Sequence, residues 1–222
     1  SRALPHMKRI IEAFRIPVLS MDGYEADDII GTLARRAEAD GFTTYMVTSD
    51  KDFAQLVDAN TYIWKPGRQG NEHEVIGVAE VQAQWQGDRP EQVIDVLGLW
   101  GDAADNFPGV PGIGEKTAKA LIKEWGSIEN LLANTDKLKG KQKENLIAHA
   151  EQARLCRRLA TIWVDSPVDQ PLGGLAIQPM DEAAVRSLLV EFEFTAIGKR
   201  LFGEDFRAGR GFQRRAEAVP VD

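Results

Sequence analysis

The chain is 222 residues long, 43% hydrophobic and 8% aromatic, which is enough apolar material for one large domain, or a domain with a small satellite, around a true core. Its formal net charge of −7 argues, taken alone, against a nucleic-acid partner. No apolar run reaches bilayer-spanning length and no signal-peptide pattern opens the chain, while the single cysteine, Cys156, excludes an internal disulfide; a reducing, cytoplasmic setting is the expectation.

Lys8 to Phe14 spaces Ile10, Ile11 and Phe14 along one helix face; Pro17 ends that helix, and Val18-Leu19 reads as a short buried strand. Ala26 to Ala39 predicts a second helix, with Ile29, Ile30, Leu33, Ala34 and Ala37 on its inner stripe and Gly41 capping it. Thr43 to Thr48 has the β-branched, apolar character of a strand buried on both faces. Strand, helix, strand in this order implies an α/β domain with a parallel sheet. Asp52 to Val57 reads as a short helix, Thr61 to Trp64 as a strand, and Pro66 to Asn71 as an exposed turn.

Past residue 77 the pattern turns helical, at Val78–Trp85, Pro90–Leu99, Glu115–Glu124, Ile128–Leu132, Lys141–Ala150, Glu151–Ala160 and Asp181–Glu191, before Phe192 to Phe194 and Leu201-Phe202. Residues 1–77 are therefore expected to form the sheet-bearing part and 78–202 a helical part, with 203–222 an aperiodic linker or tail. Cys156 reads as a packed side chain, and His6, His73 and His149 as surface residues without ligand spacing. Trp85, Trp100, Trp125 and Trp163 fall in apolar contexts that point to the core, whereas Trp64 beside Lys65 and Arg68 is ambiguous.

The acidic residues gather in three motifs, which changes what the net charge means. Glu25, Asp27 and Asp28 open the second helix; one or two acids suit a helix start, but three in four residues repel unless a cation intervenes. Asp50 and Asp52 follow the strand, at the edge where α/β sheets gather ligands, and project to one side if the segment stays extended. Asp102 and Asp105 share a face if their turn is helical. Hard oxygen donors without a Cys/His set suit Mg²⁺ or Mn²⁺ and exclude a zinc site. Two such cations can activate a water and stabilise a leaving oxygen in phosphodiester hydrolysis.

Gly109 to Ala118 is glycine-rich, but its order fits neither a Walker loop nor a dinucleotide fingerprint, because a helix precedes it. It reads as a hairpin between two helices, whose Gly109, Gly112 and Gly114 let backbone N–H groups approach a phosphate at a helix N-terminus. Lys116, Lys119 and Lys123, with Thr117 among them, can track a nucleic-acid backbone, and the alternative is a tight interhelical turn with a solvated lysine face. Lys137 to Lys143 adds a basic loop that contacts DNA or is simply solvated.

Taken together, YEADD, TSDKDFAQL and VIDVLGLWGDAADNFPGVPGIGEKTA, in this order and spacing, resemble the 5′-nuclease (5′-3′ exonuclease and flap endonuclease) domain of bacterial DNA polymerase I over roughly residues 4 to 202. The resemblance implies a Rossmann-like sheet of the PIN and flap-nuclease type, two-metal hydrolysis of DNA in primer removal and repair, and a helix-hairpin-helix arm that grips duplex DNA. It implies metal-site roles for Glu25, Asp27, Asp28, Asp50, Asp52, Asp102 and Asp105, with Asp50, Asp52 and Asp105 carrying catalysis. It implies DNA contacts from Gly109, Gly112, Gly114, Lys116, Thr117 and Lys119, and a K⁺ ion on hairpin carbonyls. The family's first metal-binding Asp and its helical arch have no counterpart here, and Ser1 to Met7 resembles the stretch just after the arch. The expectation is thus a fragment of a longer, monomeric, nucleoid-associated bacterial protein, linked to proofreading and polymerase domains. The competing expectations are a nuclease-dead duplex-binding module and a PIN-type ribonuclease.

Overall fold

The computed structural model describes residues 3–67 and 72–208, so the expected turn at Pro66–Asn71 falls partly, and the tail past 208 wholly, outside the described residues. In chain order the helices are α1 (Leu4–Ala13), α2 (Ala26–Ala39), α3 (Val78–Trp85), α4 (Val93–Trp100), α5 (Glu115–Trp125), α6 (Ile128–Ala133), α7 (Gly140–Ala148), α8 (Ala150–Leu159), α9 (Glu182–Glu191) and α10 (Thr195–Phe202). The strands are β1 (Thr44–Val47), β2 (Thr61–Lys65) and β3 (Glu74–Ile76), and 3₁₀ turns include Lys51–Leu56 and Pro90–Gln92.

Two compact units result, one within residues 21–169 and one of the described residues 3–20 with 170–208. In the larger unit β1 pairs parallel with β2, and β2 antiparallel with β3, which the sequence pattern did not reveal. Met46, Ile63 and Ile76 lie in register on the covered face and join Phe53, Leu56, Val81, Trp85, Leu97, Ile122 and Leu146 in one core. That core crosses residue 77 without a break, because β3 and α3 bury their apolar faces in it together. The same register puts Tyr45, Tyr62, Val47 and Trp64 on the opposite face, where Tyr45 stacks on Tyr62. Tyr45 is 54% and Val47 67% exposed, so β1 is not buried on both faces as its composition suggested. Composition reports strand character, but burial depends on what the rest of the chain lays over each face.

Helix α4 is the hub of the helical layer. Asp95 on it, nearly buried, accepts hydrogen bonds from Arg157 Nε of α8 at 2.9 Å and from the backbone N–H of Ile128 at 3.0 Å. One carboxylate thus satisfies the first turn of α6 and ties α8 to α4, and burial of this charge is tolerable only because it is paired. In the smaller unit Ala13, Val185, Leu188, Leu189 and Phe206 form a separate core, with Arg9 bridging bidentately to Glu191. Val18-Leu19 does not form the expected strand: Val18 is exposed and no ladder partner exists among the described residues. Residues 195–202, which carried no sequence signal, are helical. Cys156 is buried, as its context suggested.

Candidate active site

Each acidic motif is placed by local structure. Helix α2 begins at Ala26, and Asp28 reaches back to accept the Glu25 backbone N–H at 3.2 Å while its other oxygen accepts the N–H of Trp163 at 2.9 Å. Asp28 therefore commits both oxygens to backbone donors, securing the helix start to the segment after α8. Asp50 caps the 3₁₀ turn by accepting the Asp52 N–H at 3.0 Å, so the chain coils at Lys51 and does not remain extended. Gln55 on that turn donates to the carbonyls of Asp52 (2.9 Å) and Ala160 (2.8 Å) and accepts the Ile162 N–H (3.0 Å). Asp102 to Phe107 is closed by paired backbone hydrogen bonds between those two residues, with Asn106 at positive φ; it is a tight loop and not the expected helical turn. Asp102 and Asp105 converge all the same.

Oxygens of Asp52, Asp102 and Asp105 all lie within 4.8 Å of one another. Glu25, Asp27, Asp28, Asp50, Asp52 and Asp105 line one cavity of about 640 Å³, within the size range of ligand sites. All seven carboxylates picked from the sequence thus belong to one region, drawn from three motifs that are far apart in the chain. Asp52 is buried like Asp102, at 9% exposed, and its Oδ1 is buried with no hydrogen-bond partner among the described residues. Lys51 is the nearby cation. Its Nζ hydrogen-bonds Asp102 Oδ2 and stands 3.6 Å from Asp52 Oδ1.

Burial, joined by repulsion from Asp50, Glu25, Asp28 and Asp105, raises the Asp27 carboxyl to about 6. Burial also raises Asp52 to about 6: repulsion from Asp50, Asp102 and Asp105 adds to it, and Lys51 opposes it. Asp102 moves the other way. Burial would push it up, but the hydrogen bonds from Lys51 and the Ala104 N–H hold it below the ordinary carboxylate range. An orphaned oxygen among like charges is the local signature of a place where a cation is favoured. The donors are all carboxylate oxygens, so a hard divalent ion fits the set.

The hairpin between α4 and α5 has the form expected of it. Gly109 sits at φ +59°, and a Cβ there would lie 2.5 Å from the Gly101 nitrogen and the Trp100 carbonyl carbon, so the backbones approach as only glycine permits. Gly112 is at φ +78°, Gly114 starts α5, and Lys116 and Lys123 are exposed, with Thr117 half-buried. Lys119 departs from the expected row. It is buried, its ammonium donating to the Gln84 carbonyl (2.8 Å) and Glu115 Oε1 (2.6 Å) above the Trp85 ring. Trp163 departs too, since it is 61% exposed and lines the carboxylate cavity with Arg158. Sequence reading missed Lys51, Arg158 and Trp163. Lys51 could have been found inside the Asp-Lys-Asp motif, but the other two carried no signal.

Two family models divide the chain between them. The 5′-3′ exonuclease N-terminal resolvase-like domain matches residues 1–86, and the 5′-3′ exonuclease C-terminal SAM fold matches residues 88–183. The chain belongs to the 5′-3′ exonuclease family. Among curated relatives, DNA polymerase I of Bacillus caldotenax is 40% identical over 202 residues, covering 90% of the chain and 23% of the relative. DNA polymerase I of Bacillus subtilis (strain 168) is 39% identical over 206 residues, at 92% and 23% coverage. The chain therefore spans about a quarter of the length of these relatives. Its fold resembles the T5 D15 protein co-crystallised with metal ions (TM-score 0.58, 21% identity, 78% of this chain and 62% of that one). It also resembles the catalytic core of Rad2 in complex with a DNA substrate (TM-score 0.58, 16% identity, 86% and 62% coverage). The exonuclease assignment agrees with the resemblance carried by the three acidic motifs and the hairpin.

Proposed function

We propose that this chain is the structure-specific 5′-nuclease portion of a bacterial DNA polymerase I, hydrolysing DNA phosphodiesters at 5′ flaps, nicks or 5′ ends in primer removal and repair. The convergence of Asp52, Asp102 and Asp105 around an Asp52 Oδ1 that lacks a hydrogen-bond partner is the observation that carries this reading. These residues would hold a divalent cation, Mg²⁺ or Mn²⁺, with Asp27, Asp50 and Glu25 lining the same cavity for a second. A bound pair supplies Lewis-acid activation and charge neutralisation for in-line hydrolysis. Asp28, committed to the backbone of Glu25 and Trp163, positions the helix that presents Asp27.

The duplex would lie along the α4–α5 hairpin, its backbone met by the N–H groups around Gly112 and Gly114 and by Lys116. The named relatives and the DNA-bound Rad2 core support a DNA partner, and the relatives' length supports further domains in the same polypeptide, acting in the bacterial cytoplasm. A K⁺ ion on the hairpin gains no support from two of its carbonyls: Gly109 O accepts from Gln152, and Pro111 O from Asn145 Nδ2 at 2.7 Å.

Cleavage of a labelled 5′-flap duplex by the natural-length polypeptide tests the reading. Mg²⁺-dependent release of the flap near the junction is expected, with none in chelator and little on a matched RNA hairpin. A polypeptide that binds the duplex but leaves the flap uncut in both Mg²⁺ and Mn²⁺ is a binding module, and the nuclease reading is then wrong.

A further inference from the structure

The wall of the carboxylate cavity contributed by residues 158–163 is unlike the rest of the site. Trp163 is 61% exposed, and its neighbours Leu159 and Val164 are also exposed. A lone exposed aliphatic residue needs no explanation, but a tryptophan presented at the mouth of a polar cavity does. Its backbone is not loose. The Trp163 N–H donates to Asp28 Oδ1 (2.9 Å), and its carbonyl accepts from Thr32 Oγ1 (3.4 Å). One step earlier in the chain, Gln55 fixes the Ala160 carbonyl and the Ile162 N–H. The main chain is pinned on both sides of an indole that has no ring or cation partner among the described residues.

Arg158 lines the same cavity and is exposed. Its side chain makes no hydrogen bond or ion pair among the described residues, although six carboxylates line that cavity with it. Its neighbour Arg157 is bound to Asp95, and Arg154 to Glu129 and Glu151. The guanidinium that faces the site is thus the one left free for a ligand.

A flat aromatic surface on a fixed backbone, beside a free guanidinium and a carboxylate set that takes cations, matches one ligand chemistry. Cations recruit a phosphodiester, the indole offers a π-face to an unpaired base, and arginine offers a fork to an adjoining phosphate. An apolar peptide would match Trp163 and Leu159 but would leave the carboxylates and Arg158 without counterparts. We propose that Trp163 and Arg158 form a nucleotide subsite, in which the indole stacks on an unpaired base next to the phosphodiester held at the carboxylates and Arg158 pairs with the neighbouring phosphate. The proposal rests on the nuclease reading and deepens it: it makes the preferred substrate one with an unpaired nucleotide at the reacting junction.

Flap substrates carrying 2-aminopurine at single positions around the junction test it, with the chain in excess and fluorescence monitored by stopped flow before cleavage in Mg²⁺. The wild-type chain should quench one position flanking the scissile bond. Trp163→Leu should abolish that quench and raise KM for the flap about 5- to 150-fold with a smaller change in kcat, while Trp163→Phe keeps most of both. Arg158→Gln should lower the slope of log affinity against log salt by about one, and Arg158→Lys should restore it. Identical 2-aminopurine signals in wild type and Trp163→Leu, with cleavage intact, overturn the subsite and leave the nuclease reading standing. Equal weakening on a flap and on plain duplex makes Trp163 structural and also overturns it, as does a loss of self-association in Trp163→Leu that leaves flap KM unchanged. Failure of the wild type to cut any flap while folded removes the nuclease reading itself.

Discussion

Asp52→Asn is the most informative single change, because the structure predicts opposite effects with and without metal. Asp52 is 9% exposed, its Oδ1 lacks a hydrogen-bond partner, and its carboxyl is raised from 3.8 to about 6. A displacement of that size makes the ionised form less favourable by about 3 kcal/mol above pH 7. Asparagine keeps the shape and removes the charge, so the metal-free variant should be more stable at pH 7.5 by about 1–3 kcal/mol, a Tm rise of about 2–12 °C for a chain of this length. The sign comes from linkage: a carboxyl whose folded pKa lies above its unfolded value favours the folded state below about pH 4, and that contribution disappears as pH rises through about 6. The gain from asparagine should therefore shrink towards zero near pH 4. Saturating Mn²⁺ should reverse the order. At 100 times the dissociation constant the wild type gains about 2.7 kcal/mol, which the variant largely forfeits. Thermal melts in EDTA and in Mn²⁺, each at pH 4 and 7.5, provide the assay. If the variant is less stable than wild type in EDTA at pH 7.5, Asp52 is a satisfied structural group, engaged with Lys51, and the argument that its position stores unmet charge is wrong.

Asp105→Asn removes an exposed carboxylate of the Asp52–Asp102–Asp105 cluster and should cut turnover far more than DNA affinity; equal losses in single-turnover and binding assays would make the residue structural. Lys116→Ala should flatten the salt slope of duplex binding by about one, whereas Lys119→Met should leave the slope unchanged and lower Tm, since its ammonium is committed to Gln84 and Glu115. Gly109→Ala meets the Gly101 and Trp100 backbones at 2.5 Å from a left-handed φ, and should cost more than about 2 kcal/mol in a denaturant melt.

Much of the site was legible before the fold was known. Glu25, Asp27, Asp28, Asp50, Asp52, Asp102 and Asp105 were identifiable because acidic side chains crowded at helix starts and strand ends need a reason other than solubility, and they do share one region. Helices α2 and α3 begin and end where periodicity and capping residues put them. Local chemistry was enough for these, since a helix boundary depends on its own few residues.

What the sequence determined by itself was therefore the inventory: strand and helix character, the hairpin glycines, and the three crowded acidic motifs. Contacts between distant segments decided the rest. Val18-Leu19 has strand composition but no ladder partner, β1 shows Tyr45 and Val47 to solvent, and β3 is short enough that only pairing with β2 defines it. Lys119 looked like its neighbour Lys116 until Gln84 and Trp85 closed over it, and Trp163 looked like a core residue until Asp28 and Thr32 fixed its backbone, and Gln55 that of Ile162, at the cavity wall. The physical reason is the same in each case. Burial and ion pairing are properties of pairs of residues, and when the partner lies tens of positions away no local pattern encodes it.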